Sequence, residues 1–336
     1  MHLLPMLRFD KNCVFFIFVY YKNSRILKGL NMKISILGAR GQIARSLISL
    51  YTKKGELSNL ELYSRSPDSL ISEIKGAKVY PSEDFMCNDH EVIINCIGMS
   101  NLKGIKNSGQ EIFNIHETWD NLILEYLKRN KNSLYINMSS GAVYGKHFQN
   151  PVTETSCLLN GVIEISPADF YAVAKLNAEA KHRSFDKSNI VDLRIFSYIS
   201  KFIDLNSNFL ISEIMKAIKN DQTFMTNDQN ISRDYLHPED MMQIINLVIK
   251  KWKEVGLINE TFDTYSKNPV TKADMLKSLS EKYNLQYEIK DEANINSSTT
   301  GFKMNYYSVN RKLKNLGYEP RYSSLESILK VFSEVL

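Results

Sequence analysis

Cysteine is scarce in this chain: Cys13, Cys87, Cys96 and Cys157 are the four among 336 residues, with no Cys-x-x-Cys spacing and no histidine cluster nearby. That pattern excludes a disulfide framework or a zinc module and makes a reduced cytoplasmic protein without structural metal the expectation. Blocks of one charge are also missing. The 42 basic and 37 acidic residues are intermixed, for a net charge of +5. No nucleic-acid arm is expected, and the mild positivity suits an anionic small substrate. The apolar run Val14 to Tyr21 has eight residues, far short of the roughly 20 that span a bilayer, and no small-residue cleavage site follows it. No membrane partner is expected, a peripheral anchor being the alternative. Repeats and low-complexity linkers are absent too.

Residues 1–31 stand apart from the pattern that follows and are expected to be a non-structural extension. Lys28-Gly29-Leu30-Asn31 could be encoded by a purine-rich ribosome-binding stretch just upstream of a true start at Met32.

From Met32 onward short apolar segments alternate with helical patterns. Ile34-Ser35-Ile36-Leu37 reads as a buried strand, and strand signals recur at Leu60–Tyr63, Lys78–Tyr80, Val92–Gly98, Leu134–Met138 and Ile190–Ile195. Continuous apolar strands separated by helices indicate an α/β fold, a doubly wound parallel sheet of the Rossmann type. The alternation loosens after about residue 200. Residues 32–200 are therefore assigned to the dinucleotide-binding domain, and 201–336 mostly to a small substrate-binding lobe interleaved with it, over the carboxyl ends of the strands.

The first strand ends in Gly38-Ala39-Arg40-Gly41-Gln42-Ile43-Ala44, a G-x-x-G-x-x-A turn opening a helix. Small residues there let the backbone approach a pyrophosphate at a helix N-terminus, which favours anions. Gly38, Arg40, Gly41, Gln42 and Ile43 are thus candidate cofactor contacts, joined by Asn95 and Cys96 where the fourth strand ends. The second strand ends in Tyr63-Ser64-Arg65-Ser66, without the acidic residue that NAD-selective sites place on the ribose 2′-hydroxyl. Arg65, with Ser64 or Ser66, and Arg40 could hold a 2′-phosphate. NADP is favoured over NAD.

Tyr171 and Lys175 are four apart and share one helix face. A neighbouring ammonium favours the phenolate and would bring Tyr171 toward the working range of a general acid or base.

Taken together, these segments resemble the extended short-chain dehydrogenase/reductases, in their nucleotide-sugar epimerase/dehydratase/reductase branch, over Met32 to Ile328. Besides the glycine turn, the likeness rests on Asn114-Ile115-His116-Glu117-Thr118, Ser139-Ser140-Gly141-Ala142-Val143-Tyr144-Gly145, Tyr171-x-x-x-Lys175, Arg233 to Asp240, and Lys312 to Pro320. The resemblance implies that Ser140 hydrogen-bonds the substrate oxygen, Tyr171 transfers the proton, and Lys175 holds the cofactor ribose and Tyr171. Arg233 would contact the nucleotide diphosphate, and His237 would be structural. It also implies a homodimer through the Tyr171 helix, whose Ala172, Ala174, Ala178 and Ala180 suit close packing on another helix or on the sheet.

Departures from the family narrow the reaction. Gly141 and Ala142 stand where 4,6-dehydratases carry Asp-Glu, and Ala142 where the GDP-fucose synthase type has its Cys, so dehydration and double epimerisation are disfavoured. Ser197 replaces an Asn that often binds substrate phosphate, and Ser200-Lys201 replace Gly-Pro; sugar identity does not transfer. The expected function is NADPH-dependent reduction of a nucleotide-linked 4-keto-6-deoxy sugar for surface-polysaccharide precursors. A 4-epimerase retaining NAD is the alternative, and a non-catalytic NADP sensor the second. Mass spectrometry of the natively expressed protein should find Met32 at its N-terminus; a peptide from residues 1–31 would overturn that assignment.

Overall fold

A computed structural model of the chain describes residues 32–98, 109–145, 148–156, 158, 165–290 and 303–336. The expected N-terminal extension, with Cys13 and its apolar run, and Cys157 lie outside the described residues. Seven parallel strands form the central sheet: β1 (Ile34–Leu37), β2 (Leu60–Ser64), β3 (Lys78–Pro81), β4 (Val92–Asn95), β5 (Leu134–Ser140), β6 (Asn189–Ile195) and β7 (Asn259–Asp263). Their order is β7-β6-β5-β4-β1-β2-β3, so the winding reverses between β1 and β4, where a crevice opens at the carboxyl ends.

Burial on both faces explains the continuous apolar runs. Ile34, Ile36, Leu62, Ile94, Ile136 and Leu193 join one core cluster, with Leu47 and Ile48 of α1 (Gln42–Lys53). That cluster also takes in Met241, Ile245 and Val248 of a later helix, Pro238–Val255. The alternate residues Leu37, Tyr63, Ile93, Tyr135 and Ile190 face a second cluster containing Ile123, Leu124 and Leu127. Those three lie on the long helix Gly109–Arg129. With the short helix α2 (Pro67–Glu73) counted, this long helix is α3, and Phe170–Ser184 is α4.

The six sheet strands read from sequence are all present; the seventh was not read. Asn259-Glu260-Thr261-Phe262-Asp263 carries four polar residues in five, as an edge strand can, so no apolar run announces it. β7 pairs in parallel with β6 from Asn259 opposite Ile190 to Asp263 opposite Arg194, bringing part of the last third of the chain into the main sheet. A further apolar cluster gathers Ile211, Ile214, Met215, Met275, Leu279, Val331 and Phe332 of the C-terminal helices. No described helix is long and apolar enough to cross a membrane.

One buried ionic junction ties these layers together. Arg194 of β6 donates through Nε to Glu179 of α4 at 3.0 and 3.1 Å and lies 3.7 Å from Asp263 of β7. Tyr144 bridges Arg194 and Asp263, and the Ser308 hydroxyl donates to Asp263 at 2.7 Å. Arg194→Met would strand two buried carboxylates, so it should lower unfolding free energy by about 3–5 kcal/mol, measured by urea denaturation.

Candidate active site

The glycine turn sits where the sequence places it. Gly38 has φ +70°, and a Cβ there would meet the Cys96 carbonyl carbon and Ile97 amide nitrogen at 3.0 Å. Only glycine takes that conformation without strain and lets the β1 turn lie against the end of β4. Gln42 opens α1 with its side-chain nitrogen buried and without a partner among the described residues. A dinucleotide fits this cradle of open glycine backbone, helix N-terminus and orphaned donor.

Arg40 and Arg65 are both exposed. Arg40 donates to the Ser69 hydroxyl on α2, just beyond Ser64-Arg65-Ser66, where the Ser66 amide donates to Ser64 Oγ at 3.1 Å. Asn95 is committed internally: its Nδ2 donates to the Tyr135 hydroxyl at 3.0 Å and its Oδ1 accepts from Ile97 at 2.9 Å. It shapes the turn after β4 with both ends of its amide engaged inside the chain. Burial pushes the Cys96 thiol up to about 12, so it is a neutral packing group.

Ser140 ends β5, and its hydroxyl accepts from the Ala142 amide at 3.1 Å, capping the single 3-10 turn Gly141–Tyr144. A Cβ on Gly141 would lie 2.5 Å from the Phe196 ring, so the position that would hold a dehydratase acid is filled by an aromatic edge. A capping box between Ser166 and Asp169 sets the start of α4, which presents Tyr171 in its first turn and Lys175 one turn later. The Ser140 hydroxyl is near enough to the Tyr171 phenol to draw its pKa down.

The electrostatics correct one expectation. Burial pushes the Tyr171 phenol above its ordinary range, only partly offset by Ser140. Lys175 lies 5.9 Å from the ring centroid and donates to the Met138 carbonyl at 2.7 Å. Its own pKa is lowered to about 8, by burial first, against the pull of Asp120 and Asp192. Sharing a helix face does not put the ammonium on the phenol oxygen, so Tyr171 here is a protonated acid. Ala172, Ala174 and Ala178 are buried inside the chain, and Ala180 is exposed.

Two polar systems went unread in the sequence. His182 is fully buried between Asp120 of α3, at 2.6 Å, and Asp192 of β6, at 2.8 Å. Asn137 donates to Asp192, and Tyr135 to Asp120. Burial opposes a charged imidazole, yet Asp192 and Asp120 outweigh it and push His182 up to about 9. Above it His116, held near 3 by burial and Lys175, keeps Nε2 buried and without a partner among the described residues, beside Gly98 and Lys175.

The second system covers Ser140. Tyr306, on the short strand Asn305–Tyr306, places its hydroxyl 3.4 Å from Ser140 Oγ. Arg233 donates to the Ser232 and Lys303 carbonyls at 2.8 Å and lies 5.8 Å from the Tyr306 ring. Lys303 Nζ lies 4.4 Å from the same ring. No carboxylate pairs with Arg233 among the described residues; its neighbour Asp234 instead accepts from Ser266 and Ser324. Ser197, half-buried on the short strand Ser197–Tyr198, pairs alongside Tyr235. His237 is structural, its ring accepting from the Glu239 amide at 3.2 Å as a helix N-cap. No local motif marks Tyr306 or Lys303, because only the fold brings residues 303–306 back over β5.

Fold and site together define a nicotinamide-dependent enzyme of hydroxyl and keto carbons. A sequence model of the NAD dependent epimerase/dehydratase family matches residues 34–259, and the chain belongs to that family. Among solved structures it is similar to UDP-glucuronic acid 4-epimerase from Bacillus cereus, 18% identical, with TM-score 0.73, covering 90% of this chain and 99% of that one. UDP-glucose 4-epimerase from Thermotoga maritima is 17% identical, TM-score 0.70, covering 90% and 98%. dTDP-glucose 4,6-dehydratase from Bacillus anthracis is 16% identical, TM-score 0.68, covering 90% and 96%. A search of curated protein sequences gave no match.

The His182 linkage sets a pH dependence. Its folded pKa lies above the unfolded value of about 6.5, so its stabilisation is complete below that pH and is lost as pH rises through about 9. Lys175 and Lys303, lowered to about 8, act with the opposite sign from there up to their unfolded value of about 10.4. The contribution of His182 is therefore read by difference. The gap in urea midpoint between wild type and His182→Gln should shrink steadily from pH 7 to pH 10.

Proposed function

We propose that this protein uses NADPH to reduce the keto group of a nucleotide-linked 4-keto-6-deoxy sugar, with Ser140, Tyr171 and Lys175 as its catalytic residues. The observation that carries this reading is the placement of Tyr171 in the first turn of α4 near Ser140, with Phe196 packed against Gly141, where a dehydratase would carry its acid. The site can supply one proton to one oxygen, and reduction of a ketone needs no more. When bound, the nicotinamide supplies the hydride. Ser140 holds the carbonyl oxygen, Tyr171 gives its proton to the alkoxide formed, and buried Lys175 holds positive charge near both.

Arg233, cationic and without a carboxylate partner among the described residues, suits the substrate diphosphate, and Ser197, paired alongside Tyr235, is the further candidate substrate contact. Arg65, just past a β2 whose carboxyl end carries no acidic residue, and Arg40 of the glycine turn support NADP. The resemblance adds a homodimer as the working unit. A 4-epimerase that keeps its NAD is the second reading, favoured by the UDP-sugar 4-epimerases among the similar structures.

The two readings part in one experiment. Protein purified from Met32 should oxidise NADPH at 340 nm with a dTDP-, UDP- or GDP-4-keto-6-deoxy sugar, and Tyr171→Phe should cut turnover by about 10² to 10⁴ while still binding cofactor. No oxidation, with NAD released on denaturation, would move the assignment to the epimerase.

A further inference from the structure

We propose that Tyr306 is a positioning residue that turns Ser140 into a dedicated hydrogen-bond donor. A serine hydroxyl has one hydrogen and two lone pairs. One lone pair of Ser140 is taken by the Ala142 amide at 3.1 Å. The Tyr306 hydroxyl, 3.4 Å away, is placed to take the second. Burial holds the Tyr306 phenol far above its ordinary range, so it carries a proton to donate. With both lone pairs occupied, the single hydrogen of Ser140 is left for the oxygen that reacts.

The placement of Tyr306 is over-determined. Its ring meets Phe148 at 4.8 Å and Phe196 at 5.4 Å, edge to face. Its backbone pairs alongside Arg233, and both neighbours are anchored to one loop: Asn305 donates to the Phe148 carbonyl at 2.7 Å, and Tyr307 accepts from Val152 at 2.9 Å. A hydroxyl held that firmly keeps its direction through turnover. Without it, Ser140 could spend its hydrogen on a neighbouring acceptor, and the reacting oxygen would lose a donor.

The inference rests on the reading of Ser140 given above, and the test separates the two. Wild type is first shown to turn over a nucleotide sugar; if it turns over none, with either cofactor handling, the functional reading fails and this inference falls with it. Given an active wild type, Tyr306→Phe keeps the ring between Phe148 and Phe196 and removes only the hydroxyl. It should lower kcat by about tenfold or more, one hydrogen bond's effect on the barrier, with KM changed less than about threefold. In the double variant with Ser140→Ala, the second substitution should add little, because Tyr306 acts through Ser140. Wild-type kcat in Tyr306→Phe, or losses that multiply in the double variant, would overturn the proposal. So would a rise in KM alone, which would make Tyr306 a wall of the substrate pocket.

Discussion

The Glu179–Arg194–Asp263 junction is the constraint on which the site depends. α4 carries Tyr171 and Lys175, β5 carries Ser140, and proton transfer requires these to meet within a hydrogen bond's tolerance. Arg194 grips the carboxylate of α4 on one side and, on the other, the Tyr144–Asp263 pair that closes the turn after Ser140. Ser139, one residue before Ser140, donates to the same Glu179. The geometry is therefore held by full charges that have been removed from water, which makes the junction costly to break.

Alongside it, the His182 bridge fixes the other end of α4. Its imidazolium, between two aspartates from different elements, supplies a buried positive centre below Lys175. Those aspartates also favour a charged Lys175 in a place where burial alone would discharge it. The two polar systems work on different properties of the site. The arginine junction sets positions, and the histidine bridge sets charge.

How much of this was legible can be judged residue by residue. The glycine turn, the Ser140 block and the Tyr171/Lys175 pair are local motifs, because each depends on backbone conformation or helix spacing within a few residues. Strands β1, β2, β4, β5 and β6 were legible for the same reason, since burial on both faces writes itself as a mostly apolar run, whereas β3, at the sheet edge and nowhere fully buried, left only the short signal Lys78-Val79-Tyr80. β7 escaped because an edge strand needs no such run. The Tyr171 phenol was misjudged because spacing reports which side chains share a face, whereas its pKa depends on burial and on the direction in which the Lys175 ammonium turns.

By itself the sequence determined the doubly wound fold, the dinucleotide turn and the lack of an acid after Ser140, all properties of contiguous residues. Only the tertiary structure decided that Phe196 fills the space beside Gly141 and that Tyr306 returns across 166 residues to the Ser140 hydroxyl. It likewise placed His182 between two aspartates. These are contacts between elements far apart in the chain, set by side-chain packing and desolvation, and no local spacing encodes them.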